Sequence, residues 1–334
     1  MHALNRRTFL QYTGAASAAL SGLPAWAQEA FPTKPLTLVV PYPAGGASDA
    51  SARIFAESFS QSFKQQVIVE NYGGGTGLIG ANKVLSAPAD GYTFLHGSPN
   101  EVILPPMLNP AARYKPWDFV LAAPITAASI VLMVRNGIPV STMDEFLDYA
   151  RQQKDKPLTY ASVGIDSLYH LMGDALAARL KLPFLHVPYK GAAPALQDLA
   201  GGQVDFAILA YQTSFDGMQE QGRLKIISSF SKDMAPGLKH IAPITRSKQI
   251  PDFVHEIGGG YFMRKGTPAD RLAALRKAIG EAVVKPQIRG RLEAEGRKVA
   301  QPTDTQAQAD AAYKEMIDSV ASLLKQLGRK NLAT

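Results

Sequence analysis

Short apolar runs and amphipathic stretches alternate along the chain. The run "LTLVVPY" (36–42) precedes a stretch in which Phe55, Phe59 and Phe63 recur every four residues, the spacing of one helix face. "QVIVEN", a helix near Ala81 to Ser86, and "YTFLHGS" continue the alternation. "SIVLMVR", a helix from Asp144, "LTYASVG", a helix from Ser167, "FLHVPYKG", a helix from Pro194, "VDFAILA" and "LKIISSF" carry it further. Strands and helices taking turns predict parallel sheets with helices on both faces. From about Gly266 the pattern is mainly helical, over Pro268 to Val284, Gln287 to Glu295 and Thr305 to Leu327. In the last of these, Ala309, Ala312, Tyr313, Met316, Val320 and Leu323 fall near helical spacing. Two sheet domains with a helical return suit two lobes joined by crossing strands, with boundaries near residues 126 and 230.

The N-terminus departs from this pattern. Arg6 and Arg7 precede Phe9, Leu10 and a mildly apolar stretch that ends in Ala25-Trp26-Ala27, an A-x-A cleavage site. That order reads as a twin-arginine export signal over residues 1–27, with Gln28 starting the mature chain. Gly14, Gly22 and Pro24 weigh against a stable cytosolic helix there. No other apolar run approaches the roughly 20 residues of a membrane span, so a soluble, exported protein is expected. The chain has no cysteine and must stand on core burial without disulfides. The formal charge of +7 falls to +5 without Arg6 and Arg7, a field that favours anionic ligands weakly. The basic residues are scattered and do not interleave with aromatics, so a nucleic-acid partner is not expected.

Three strand-to-helix turns share one construction. In "VVPYPAGGASDASAR" a strand breaks at Pro43, Ala44, Gly45 and Gly46 and a helix begins by Ser48 or Asp49. "YASVGIDSLYH" turns through Gly164 into a helix near Ser167, and "VPYKGAAPAL" turns at Gly191. Such turns aim free backbone N–H groups and the positive end of a helix dipole at one spot, which suits phosphate, pyrophosphate or carboxylate. A Walker loop would need a lysine after the second glycine, and Ala47 and Ser48 stand there instead. "GTGLIG" (75–80) matches the dinucleotide fingerprint, yet the next strand ends in "LHGSPN" with no acid at its tip before Glu101. A tight turn is the default reading, and no cofactor is expected.

Enzyme chemistry is thin. There is no G-x-S-x-G elbow and no H-E-x-x-H pair, and Ser167 with His170 three residues on is a spacing common by chance. No catalytic residue and no metal site is assigned.

Taken together, "FPTKPLTLVVPYPAGGASDASAR", "VIVENYGGGTGLIGANKV", "APADGYTFLHGS", "LTYASVG", "HVPYKGAAPALQDLAGGQVD" and "GTP" (266–268) resemble the Bug-type receptors. These are the extracytoplasmic solute-binding proteins of tripartite tricarboxylate transporters, and the resemblance covers nearly the whole mature chain. It implies a two-lobed α/β fold of the periplasmic-binding-protein type II class. Lobe 1 would hold residues 28–125 and 230–334, lobe 2 residues 126–229, and the ligand would sit in the cleft between them. The implied function is capture of a small carboxylate by lobe closure, in the manner of a Venus flytrap. A periplasmic monomer would then deliver it to membrane transporter subunits. Carried over by position, the ligand would meet Ala44, Gly45, Gly46, Asp49 and Ser98 on the first lobe. On the second it would meet Ser162, Gly164, Asp166, Ser167 and Leu168. A sensory receptor for a membrane signalling partner is the alternative, and an exported enzyme a more distant one.

The sequence departs from the family pattern at Ile165-Asp166, at Leu209-Ala210 and at Glu101. If Asp166 or Glu101 faces the cleft, it favours a carboxylate that also carries an amine, hydroxyls or another donor over a plain dicarboxylate. The alternative places Asp166 as a helix cap and Glu101 in solvent. The export signal yields the first prediction: replacing Arg6 and Arg7 together by lysine leaves the precursor in the cytoplasm, read by cell fractionation. Unchanged export of that variant overturns the twin-arginine assignment.

Overall fold

The computed structural model describes residues 31–333 apart from Lys154; the export signal over 1–27 lies outside the described residues. The chain opens with β1 (Leu36–Val40), α1 (Ala47–Phe63), β2 (Val67–Asn71), α2 (Leu78–Ser86) and β3 (Thr93–Gly97). Two short helices, α3 (Pro99–Val102) and α4 (Leu104–Leu108), lead to the long strand β4 (Phe119–Arg135). Next come α5 (Met143–Gln152), β5 (Leu158–Ser162), α6 (Leu168–Leu180), β6 (Phe184–Pro188), α7 (Ala192–Ala200), β7 (Phe206–Ala210), α8 (Ser214–Glu220) and β8 (Leu224–Ser229). The return comprises β9 (Glu256–Arg264), α9 (Ala269–Val283), α10 (Pro286–Ala294), β10 (Arg297–Val299) and α11 (Gln306–Gln326).

Strand β4 is the spine. Its 17 residues reach roughly 56 Å at the usual rise of a strand, long enough to serve two sheet halves. Residues Phe119 to Ser129 pair antiparallel with β9, and Ile130 to Val134 pair antiparallel with β7. The sheet runs β2-β1-β3-β9-β4-β7-β5-β6, with β10 and β8 also paired to β4. Pro124 cannot donate to a ladder, and the register shifts beside it, between Pro124 and Thr126.

The α/β alternation is present, but the sheet is mixed. Parallel pairing is confined to β1 with β2 and β3, and to β5 with β6 and β7. The remainder is antiparallel because β4 carries the chain out of the first half and β9 brings it back alongside. Two neighbouring strands that cross in opposite directions can pair in no other way.

Helix α1 packs as its phenylalanine spacing predicts. Phe55 and Phe59 are fully buried and meet the Tyr261 ring edge-on at 5.5 and 5.1 Å, with Phe94 alongside, while Phe63 is half-buried near the helix end. This cluster fixes α1 against β3 and β9, and therefore fixes where the helix N-terminus points. In "GTGLIG" the backbone turns tightly: Gly75, Thr76 and Gly77 all have positive φ, and Gly80 lies so close to Pro41 that a Cβ would meet it at 2.7 Å. These glycines serve close packing of α2 on β1.

Truncating Phe59→Ala should cost about 3–5 kcal/mol of unfolding free energy, the range for an aromatic removed from a packed core. Urea denaturation checks it, and a loss below about 1 kcal/mol would show that the cluster does not anchor α1.

Candidate functional site

The "PAGG" turn between β1 and α1 is held by an acid from the helix it opens. Gly45, at φ +84, donates its N–H to Asp49 Oδ2 at 3.0 Å. The same carboxylate accepts from Arg53 Nε at 3.1 Å and from Asn71 Nδ2 at 3.1 Å. Burial raises the Asp49 pKa, but Arg53, the Gly45 amide and Asn71 outweigh it and hold the group below the usual carboxylate range. Asp49 therefore shapes the turn, and Ala44 and Gly45 lie on its exposed outer side. Gly46 is the N-cap of α1 and supplies no side-chain cap, so the first-turn N–H groups of the helix face inward without one.

They face a partly open cavity of about 70 Å³ between the two sheet halves, which Gly46 lines together with Ser98, Glu101, Arg297, Tyr169 and Ala210. Arg297, on β10, is 7% exposed; its Nη2 donates to Ala47 O at 2.5 Å and its Nη1 to Thr126 Oγ1 at 3.5 Å, while Nε has no partner. Burial depresses its pKa, and Tyr169, Glu295 and Tyr261 offset that only in part. His96 also lines the cavity; burial, then the charge of Arg297, pushes its pKa down to about 3, so it is neutral at ordinary pH.

Glu101 closes another part of the wall and is 1% exposed. With Ser98 it forms a capping box on α3, Oε2 accepting from Ser98 N at 2.5 Å and from Ser98 Oγ at 2.8 Å. Oε1 has no hydrogen bond of ordinary geometry, although the Tyr42 hydroxyl lies against the carboxyl. Burial raises the Glu101 pKa to about 7, against the lowering effects of Tyr42 and Ser98. The carboxyl stem also touches Gly77, where a Cβ would come within 2.4 Å of Cγ.

The turn on the other half is braced internally. Ser162, fully buried, takes the Gly164 N–H at 3.2 Å and lies 2.7 Å from His186 Nε2. Ser167 caps α6 by accepting from His170 N, and the Leu168 N–H is held by Asn100 Oδ1 at 2.8 Å. Gly164, at φ +137, sits against Thr76, and Asp166 points away from the central cavity to pair with Arg329 at 2.5 Å. Ser167 and His170 are not set up as a nucleophile and base. His170 Nδ1 accepts from the Asp166 N–H, and its ring stacks on His186 at 4.0 Å.

Of the ten residues expected at the ligand, Gly46 and Ser98 line the central cavity, while Ala44, Gly45 and Asp49 form the turn behind it. Gly164 and Asp166 line a second, outer cleft and Leu168 a third, with Ser162 and Ser167 inside the β5–α6 turn. Their neighbours Val163 and Tyr169 reach the central cavity instead. Asp166 does not cap the helix, since Ser167 does, and Glu101 is not in solvent. Tyr42, His96, Asn100 and Arg297 were missed: each stands in an ordinary strand or turn sequence, and only the assembled fold brings them to one cavity.

The chain matches the family described as "Tripartite tricarboxylate transporter family receptor" over residues 51–328. It is 34% identical over 273 residues to a "UPF0065 protein in tcbD-tcbE intergenic region" of Pseudomonas sp. (strain P51), covering 81% of this chain and 80% of that one. Among solved structures it is similar to the periplasmic binding protein BugD, with TM-score 0.81 and 29% identity over 90% of this chain and 99% of that one. It is likewise similar to Rpa4515 of R. palustris with adipate, with TM-score 0.82 and 26% identity over 90% and 99% of the two chains.

The Glu101 carboxyl makes stability depend on pH in a defined direction. Its folded pKa of about 7 stands above the ordinary 4.5, so between those values the native state keeps a proton that the unfolded chain has lost. Raising the pH through that window removes stability, on the order of 3 kcal/mol at most. Glu101→Gln should unfold with wild type at pH 4 and be the more stable protein at pH 8, by urea denaturation at both pH values. A gap that does not change with pH would contradict the buried, proton-retaining carboxyl.

Proposed function

The chain belongs to the tripartite tricarboxylate transporter receptor family, solute-binding proteins and not enzymes, and from that premise we propose that it captures a small carboxylate in the periplasm and presents it to membrane transporter subunits. Export by the twin-arginine route brings the monomer there. Residues 28–125 with 230–334 and residues 126–229 act as the two lobes, closing by a hinge on the crossing strands. One observation carries the reading: the buried Arg297 guanidinium and the uncapped α1 N-terminus converge on one cavity among the described residues. Two positive ends with free donors call for an anion. Charge-assisted hydrogen bonds net about 1.5–3 kcal/mol each, so three or four offset a carboxylate's desolvation and leave micromolar affinity, about 8 kcal/mol.

Gly46 and Ser98 meet the ligand directly in this proposal, and the Ala44-Gly45-Asp49 turn holds the first of them in place. The Ser162 to Leu168 turn closes from the other lobe, bringing its neighbours Val163 and Tyr169 to the cavity wall. The related structure with adipate also holds a small carboxylate.

A thermal-shift screen of small carboxylates tests the proposal, since a ligand at a hundred times its dissociation constant adds about 2.7 kcal/mol of stability. Gly46→Val supplies the control. The φ of Gly46 is −88° and the nearest atom to an added Cβ is 3.8 Å away, so the variant should fold while its methyl groups fill the cavity mouth. Ligand shifts should vanish in it. Wild-type shifts in the folded variant, or no shift with any carboxylate in wild type, would overturn the assignment.

A further inference from the structure

The central cavity holds a cation and an acid that do not neutralise each other. Arg297 on β10 and Glu101 on α3 both line it, both are more than nine-tenths buried, and each keeps an atom short of a well-formed hydrogen bond: Nε on one, and Oε1, with the Tyr42 hydroxyl beside the carboxyl, on the other. Neither is the other's ion-pair partner: the nearest fixed contacts of Arg297 are Ala47 O and Thr126 Oγ1, and those of Glu101 are Ser98 N and Ser98 Oγ. The wall between is largely small and apolar, with Ala128, Ala192, Ala193 and Ala210 among its residues. Resting on the carboxylate reading above, we propose that Arg297 and Glu101 are the specificity-determining pair of the cavity. They select a small monocarboxylate whose other end carries a hydrogen-bond donor, an ammonium or a hydroxyl.

The chemistry follows from what each end lacks. A buried guanidinium short of acceptors is completed by a carboxylate, whose two oxygens match its fork. A buried carboxyl with one oxygen unpartnered is completed by a donor, because leaving it unmet costs the desolvation of that oxygen. The donors already near Glu101 are spoken for or hindered. Tyr114 gives its hydroxyl to the Glu101 main-chain carbonyl, and Tyr42 lies against the carboxyl without closing a bond of good geometry. Tyr169, from the other sheet half, lines the same cavity and feels the Glu101 charge. A second ligand carboxylate at this end would face the acid directly, and repulsion of like charges is how such a site rejects a competitor.

Calorimetry at pH 8 on matched probes tests this: succinate against 4-aminobutanoate and 4-hydroxybutanoate, and adipate against 6-aminohexanoate. The amino or hydroxy acid should bind at least tenfold tighter than the dicarboxylate of equal length. Glu101→Gln should erase or reverse that preference, because an amide removes the charge yet keeps an oxygen for Ser98. Arg297→Gln, if folded by circular dichroism, should lose at least tenfold affinity for both classes. If it does not fold, the Glu101→Gln ratio decides alone. Dicarboxylates binding as tightly as the amino and hydroxy acids, or a ratio unmoved in Glu101→Gln, overturns the selection while leaving a carboxylate receptor standing. Absence of binding by every probe overturns both.

Discussion

The site is governed by a positive charge brought next to another positive pole. Arg297 reaches across from β10 to hydrogen-bond Ala47 O, in the first turn of α1, so the guanidinium lies beside the very helix end whose dipole is also positive. No ion pair with a described residue relieves it, and its burial keeps water from doing so fully. A folded protein tolerates this arrangement only because the surrounding scaffold is rigid. The Phe55–Phe59–Tyr261 cluster fixes the helix, and the pairing of β10 with β4 fixes the arginine. The tension is a standing demand for an anion at one point in space.

Glu101 is under a different constraint, set by packing. Its carboxyl is drawn inward by the Ser98 cap and seated against a glycine, Gly77, whose positive φ and missing Cβ leave the needed space. An acid placed this way keeps its proton up to about pH 7 and carries its charge above it. The same capping box that makes α3 a stable turn therefore also places an acid in the cavity wall. Local structure and recognition rest on one side chain.

How much of this was legible in the sequence depended on the range of each signal. The strands, the α1 stripe and the three glycine turns are local patterns, and the fold reproduces them because periodicity and turn chemistry act over a few residues. The mixed sheet was not legible, since the direction of β9 beside β4 follows from the chain's return and not from any residue in either strand. Glu101 stood out as an acid where a small polar residue is expected, and it does face the cavity. Asp166 stood out equally, yet Arg329 draws it to the outer surface, a contact 163 residues away in sequence. Arg297 carried no signal at all: a basic residue in a three-residue strand is ordinary until the fold buries it.

Three of the contacts that join the two sheet halves lie beside the cavity and the outer cleft. Thr76 Oγ1 donates to Ile165 O at 2.8 Å, Asn100 Oδ1 takes the Leu168 N–H at 2.8 Å, and Arg329 pairs with Asp166. The ion pair is partly exposed and such pairs contribute about 0–1 kcal/mol, while each neutral hydrogen bond nets about 0.5–1.5 kcal/mol. Parting the halves at these points therefore costs only a few kcal/mol, far less than opening the buried core along β4. Moving a two-state equilibrium from 1:99 to 99:1 takes about 5.5 kcal/mol of differential binding, which is within reach of a ligand bound at about 8 kcal/mol. The guanidinium and the helix end that demand an anion both belong to the half that carries α1 and β10, so that demand does not depend on these latches.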